Sequence, residues 1–154
     1  MLIAITLAVL AQQEPPKAEK RSDFLRRLYE KDRAGFADAV RLAVGLAKDA
    51  PVDGDARAEA AGLGLIDPAW DLADAAPVTK GTVAYMLCRA LNIKGGVTIA
   101  IFGLSRRYAF RELIFLKIMK GGADSEFVTG RELLDVLTNA ELYKRAGSLD
   151  AERK

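Results

Sequence analysis

The sequence predicts a mainly α protein, a small helical bundle of repeated helix-loop-helix units with one or two short strands. Three observations predict it. Apolar residues recur at three- and four-residue spacing through most of the chain, two stretches superpose as an internal repeat, and residues 97–102 alone have the β-branched density of a convincing strand. With 154 residues, 51% hydrophobic and 29% charged, the chain suits one globular domain and is too short for two full ones.

Residues 2–10, LIAITLAVL, hold eight apolar positions of nine, and the polar, proline-bearing run QQEPPKAEKRS follows Ala11. A helix of nine residues covers roughly 14 Å, against the ~30 Å hydrocarbon layer that a span must cross, so this segment reads as a signal-peptide core. Val9 and Ala11 fit the small-residue positions of a cleavage site, making residues 1–11 the leader and Gln12 the mature N-terminus. Residues 12–22 then form a flexible linker, too polar to bury.

Structure is expected after it. Ser22 is a natural N-cap for a helix carrying Phe24, Leu25, Leu28 and Tyr29. A second helix begins at Phe36, carries Val40, Ala43, Val44 and Ala47 on one face, and ends before Pro51; a third, alanine-rich, covers 56–62. Residues 63–66 read as a brief extended piece, and Pro68, Trp70 and Pro77 enclose an irregular loop. Thr79 caps a helix with Val83, Met86, Leu87, Ala90 and Leu91 in one row, stopped by Gly95 and Gly96, after which 97–102 form the strand. Ser105 caps a helix over 106–119, whose Phe110, Leu113, Ile114, Phe115, Leu116 and Ile118 cover so much of its circumference that it is expected at the centre of the core. Thr129 and Glu132 form a capping box for the last helix, Gly147 is its expected terminator, and 148–154 remain a polar tail.

The repeat aligns Leu63-Gly64-Leu65-Ile66 with Leu116-Lys117-Ile118-Met119, and Val78-Thr79 with Val128-Thr129. The following helices keep register: Val83 with Leu133, Met86 with Val136, Leu87 with Leu137, Ala90 with Ala140. The loop holding Pro68 and Trp70 absorbs the difference in length. Such units share a core because neither half buries enough surface alone.

This order of elements resembles the bacterial S-layer homology module. That family's units run G-I-I, a loop, Pro, a hydrophobic residue, T-R-A-E, then a helix finishing L-x-R-A-L. Gly64-Leu65-Ile66, Pro77-Val78-Thr79-Lys80-Gly81-Thr82 and Leu87-Cys88-Arg89-Ala90-Leu91 follow the frame, as do Ile118-Met119 and Val128-Thr129-Gly130-Arg131-Glu132. The units span about 56–93 and 106–143 within a domain over 23–147, and the helix pair at 24–48 is a candidate third, diverged unit. The resemblance implies non-covalent attachment to cell-wall or envelope polysaccharide, with the base after the Thr meeting an anionic sugar substituent. Lys80 replaces the family's Arg and Thr82 its Glu, while Arg131 stands one place late. A lysine is a point charge where arginine is a bidentate fork, so the ligand resemblance is weaker than that of the fold.

Composition excludes much else. There is no histidine, which removes Ser-His-Asp and Cys-His catalysis, and the lone Cys88 permits no internal disulfide and reads as a small buried hydrophobe. The net charge of +2 is too small to predict nucleic-acid or membrane adsorption by itself. Seven carboxylates face Arg57 alone in residues 49–76, a local balance of −6, but Pro51 and Ala60 break an EF-hand read from Asp49. No spacing fixes a pair of catalytic carboxylates. Arg107 and Arg111, one turn apart beside Arg106, read either as an anion-binding edge or as a solvated one, and Trp70 either as a sugar-stacking ring or as the closure of a small core.

The sequence therefore predicts a non-catalytic exported module, periplasmic or at the cell surface, needing no cofactor or metal. Its candidate ligand residues are Lys80, Arg131, Glu132, Trp70, Arg107 and Arg111. The expected partner is envelope polysaccharide or, alternatively, an envelope protein met by a structural subunit without a sugar site. Neither nucleic-acid binding nor a membrane span after leader cleavage is expected.

Overall fold

Helices begin where side chains can hold the amides that a first turn leaves unpaired. The computed structural model describes residues 20–152; the expected leader and most of the linker, 12–19, lie outside the described residues. Asp55 accepts from the Arg57 and Ala58 N–H groups ahead of α3 (Ala56–Gly62), Thr79 from Thr82 ahead of α4 (Lys80–Ala90), and Ser105 from Tyr108 ahead of α6 (Arg106–Phe115). Thr129 accepts from Glu132 in the first turn of α7 (Gly130–Glu152). Ahead of α2 (Phe36–Lys48) the cap is reversed, the Asp38 carboxylate accepting from the Gly35 N–H at 3.0 Å. The first helix, α1 (Arg21–Tyr29), starts from Lys20, so Arg21 and Ser22 belong to it rather than to a linker.

Three helix ends share one geometry. Leu63, Leu91 and Leu116 close α3, α4 and α6, and each is followed by a residue in the left-handed region: Gly64 (φ 67°), Asn92 (φ 52°) and Lys117 (φ 60°). The next amides, of Leu65, Ile93 and Ile118, each donate to a carbonyl five residues back at 2.9 Å. Leu65 and Ile118 thereby turn into the core. Gly64 and Lys117, aligned with one another in the sequence, thus take the same conformation at corresponding helix ends.

Three short extended segments meet at the centre. The Val78 N–H donates to the Ala34 carbonyl (3.0 Å), the Ala34 N–H to Val128 (2.8 Å), and the Val128 N–H to Val78 (3.0 Å), closing a ring. Two residues further on, the bonds repeat from Phe36 to Ala76, Lys80 to Glu126 and Gly130 to Lys31. Among the described residues the only β-type pairings are isolated bridges, Gly35 with Pro77 and Thr79 with Phe127, and there is no strand or sheet. Each segment spends its two sides on two different neighbours, so the ladder closes instead of extending.

The helices obey the same cycle. In each helix-loop-helix unit (α1–α2, α3–α4, α6–α7) the first helix packs on the second helix of the preceding unit: α3 on α2, α6 on α4, and α1 on α7. The α1–α2 pair takes the same place in this packing order as the other two pairs, and the first and last helices close the circle.

The structure corrects three further expectations. Residues Val97–Phe102 form a short helix, α5, packed on α6 rather than a strand, since a lone apolar run with no partner strand satisfies its amides locally. The central helix is α4, buried continuously from Lys80 to Cys88, and not α6, which ends at Phe115 and turns Phe115 outward. Gly81, Thr82 and Ala84 let other elements approach α4 closely, and small residues carry little hydrophobic signal. Finally, α7 continues through Gly147 to Glu152.

Gly130 marks the tightest approach: a Cβ there would stand 1.7 Å from the Leu28 carbonyl oxygen, whereas one at Gly147 meets nothing within 4 Å. Gly130→Ala is expected to destabilise the protein by about 3 kcal/mol or more, because backbone must move. Gly147→Ala is expected to stabilise it by about 1 kcal/mol through helix propensity. Urea unfolding of the two variants beside the parent checks both signs.

Candidate functional site

The six residues singled out from sequence fall in four places. Lys80, the first residue of α4, lies directly after the central ring and is buried; its Nζ meets Glu126 Oε2 at 2.6 Å, Glu132 Oε1 at 3.4 Å and the Gly121 carbonyl at 3.4 Å. Gly122 stands close enough that a Cβ would strike Glu126 and Lys80. The hydrogen bond to Glu126 holds the Lys80 ammonium above its ordinary range against the opposing effect of burial, aided by attraction to Glu132. The same bond holds the Glu126 carboxyl low, helped by a backbone hydrogen bond from Ala123. Lys80 and Glu132 therefore lock α4 to the next unit, and an anionic ligand would have to displace two carboxylates to reach this ammonium.

Arg131 stands on the exposed side of α7 with its guanidinium 4.7 Å from the Tyr29 ring centroid, a cation–π contact joining the last unit to the first. Arg107 and Arg111 are exposed on α6.

Trp70 occupies the loop between α3 and α4 and is half-buried. Its ring meets Phe36 of α2 edge-on at 6.5 Å and Tyr85 of α4 at 5.0 Å, and the guanidinium of Arg106 lies 5.6 Å from its centroid. Arg57 lies 5.2 Å over the Phe36 ring and donates from Nη1 to Asp74 Oδ1 and the Leu72 carbonyl, both at 2.8 Å. Arg89 donates to the Tyr85 hydroxyl at 3.3 Å. Three aromatic rings and three guanidinium groups thus gather where the first two units meet, joined by the start of α6. Trp70 both closes the core edge and contributes to this surface.

Sequence reasoning missed Phe36, Arg57 and Tyr85 as members of the cluster. Arg57 carried a signal, as the one base within the acidic stretch 49–76. Of that stretch's carboxylates, Asp55 caps α3, Asp74 pairs with Arg57, Glu59 with Lys48 at 2.6 Å, and Asp49 with Lys144 at 2.6 Å. Cys88 is buried as a small hydrophobe, its thiol pushed up to about 12 by burial with a further push from Glu112, which removes it as a nucleophile.

A cavity of about 740 Å³ lies between α1, α2 and α7, floored by Phe24, Leu42 and Leu137. Its rim charges pair across it, Arg21 with Glu141 and Lys144 with Asp49. No protein family, curated protein or solved structure matches this chain.

The Lys80 lock has a definite pH dependence. Glu126, held low, contributes stability above its ordinary value of 4.5 and loses it as pH falls through its folded value. Lys80, held high, contributes below 10.5 and loses it as pH rises through its folded value. Lys80→Met is therefore expected to weaken folding at neutral pH, where both partners are charged. The difference from the parent should shrink in urea titrations near pH 3. An equal deficit at both pH values would contradict the lock.

Proposed function

We propose that this chain is an exported, non-catalytic module of the cell envelope, periplasmic or at the cell surface, that binds an anionic envelope polysaccharide on the Trp70 surface. The observation that carries this reading is the pairing of the Trp70 ring with Arg106 at a junction of units. An aromatic face suits the apolar face of a sugar ring, and an exposed guanidinium beside it suits a carboxylate or phosphate substituent. Arg89 adds positive charge beside the Tyr85 ring, while the charge of Arg57 over Phe36 is met by Asp74. The resemblance of Pro77-Val78-Thr79-Lys80 and Val128-Thr129-Gly130-Arg131 to the S-layer homology frame supports the same class of ligand. In this reading Lys80 and Glu132 hold the units in place, Arg131 braces the closing junction, and contact with the sugar passes to Trp70 and Arg106.

Sedimentation with purified wall polysaccharide tests the reading. The parent should pellet with the polymer, and Arg106→Gln should weaken binding by roughly tenfold, the loss of one charge-assisted hydrogen bond. Trp70→Ala should weaken it at least as much, with thermal melts establishing that both variants remain folded. A parent that stays in the supernatant would instead favour a structural subunit that recognises an envelope protein.

A further inference from the structure

The overall charge of +2 conceals a strongly polarised chain. Against the local −6 of residues 49–76, residues 89–120 carry seven bases and the single acid Glu112, a balance of +6. This basic stretch contains α5 and α6, where the largest outward-facing apolar side chains are concentrated. Val97 is 75% exposed, Ile101 68%, Phe102 70% and Phe115 79%. Exposed apolar residues scattered singly are ordinary, but four in one short region at this exposure are not.

Two of them, Phe102 and Phe115, share one side of α6. Phe102 stacks on Tyr108 at 6.1 Å, and the Gly96 N–H donates to Glu112 Oε2 at 3.3 Å. These contacts pin both ends of α5 along the Tyr108–Glu112 side of α6, antiparallel to it. The inward face of α6 is Ala109, Phe110 and Leu113. At 100° per residue, Phe115 then points directly away from the core, with Tyr108 on one flank and Arg111 and Arg107 on the other. Lys94 precedes α5, while Lys117 and Lys120 follow α6, all exposed. The result is a set of apolar tips within a collar of bases.

We propose that the α5–α6 face seats this protein on an anionic lipid bilayer. Apolar side chains that project individually can enter between headgroups, while the surrounding lysines and arginines meet lipid phosphates. Charge complementarity selects this occupant over a second copy of the chain, because two such faces brought together would oppose their bases. Attachment is peripheral: no helix among the described residues is long and apolar enough to cross a membrane. The proposal is independent of the polysaccharide reading, since Trp70 takes no part in it and the collar of Lys94, Arg107, Arg111, Lys117 and Lys120 leaves out Arg89 and Arg106.

The test is flotation of the purified protein with vesicles of phosphatidylcholine containing 30% phosphatidylglycerol, beside vesicles of phosphatidylcholine alone. The parent should bind the anionic vesicles at least tenfold more tightly than the neutral ones and lose binding as salt is raised. Phe102→Ser with Phe115→Ser should weaken binding at least tenfold, and so should Arg107→Glu with Arg111→Glu, which leaves the apolar tips in place. Absence of parent binding, equal binding to both vesicle types, or unchanged binding by both double variants would overturn the proposal. So would concentration-dependent dimerisation that disappears in the Phe102→Ser, Phe115→Ser variant while vesicle binding is absent.

Discussion

Three backbone amides, of Ala34, Val78 and Val128, donate around a closed ring at the centre of the molecule, and almost every other feature is arranged so that this ring can form. All three residues are sealed from solvent, where an unpaired amide or carbonyl would destabilise the fold by a few kcal/mol. The ring has no open edge to extend, which explains a nearly all-helical protein with β-type pairing at its heart. It also fixes the starts of α2, α4 and α7, each two residues beyond a ring member, so their exit directions are set together. Local caps then complete each start, and the swapped packing of α1 on α7, α3 on α2 and α6 on α4 follows from three chains leaving one centre.

Close approach around the ring explains residue choices that hydrophobicity does not. Gly130 passes against the Leu28 backbone, and Gly81 against Arg106 and Asp124. Lys80 enters the interior because Glu126 and Glu132 meet it there. A charged residue in the most buried helix is tolerable only with such partners, and its presence ties the second unit to the third by an ion pair.

Much of this was legible in the sequence. Periodicity and the capping hydroxyls of Thr79, Ser105 and Thr129 placed six helices, and the matched segments at Gly64 and Lys117 stand out in the sequence as an internal repeat. Cyclic closure was not legible, because Ala34, Val78 and Val128 are ordinary small apolar residues whose role lies in their backbone. For the same reason α4 was undervalued beside α6, and a six-residue apolar run looked like a strand when no partner strand was available. At the candidate site, Trp70 was visible as a lone indole in a loop, but its neighbours Phe36, Arg57 and Tyr85 come from three different helices. The commitment of Lys80 to internal carboxylates was hidden because Glu126 lies 46 residues away, in a loop with no pattern of its own.

The central claim is that the ring is the last element to open. Native-state hydrogen exchange at the Ala34, Val78 and Val128 amides tests it most directly, since each amide reports the free energy of the opening that exposes it. All three should exchange together, with the protection of the Val83 and Leu87 amides in α4, through global unfolding alone. Should any one of the three exchange a hundredfold faster than those α4 amides, the ring would not be what holds the units together.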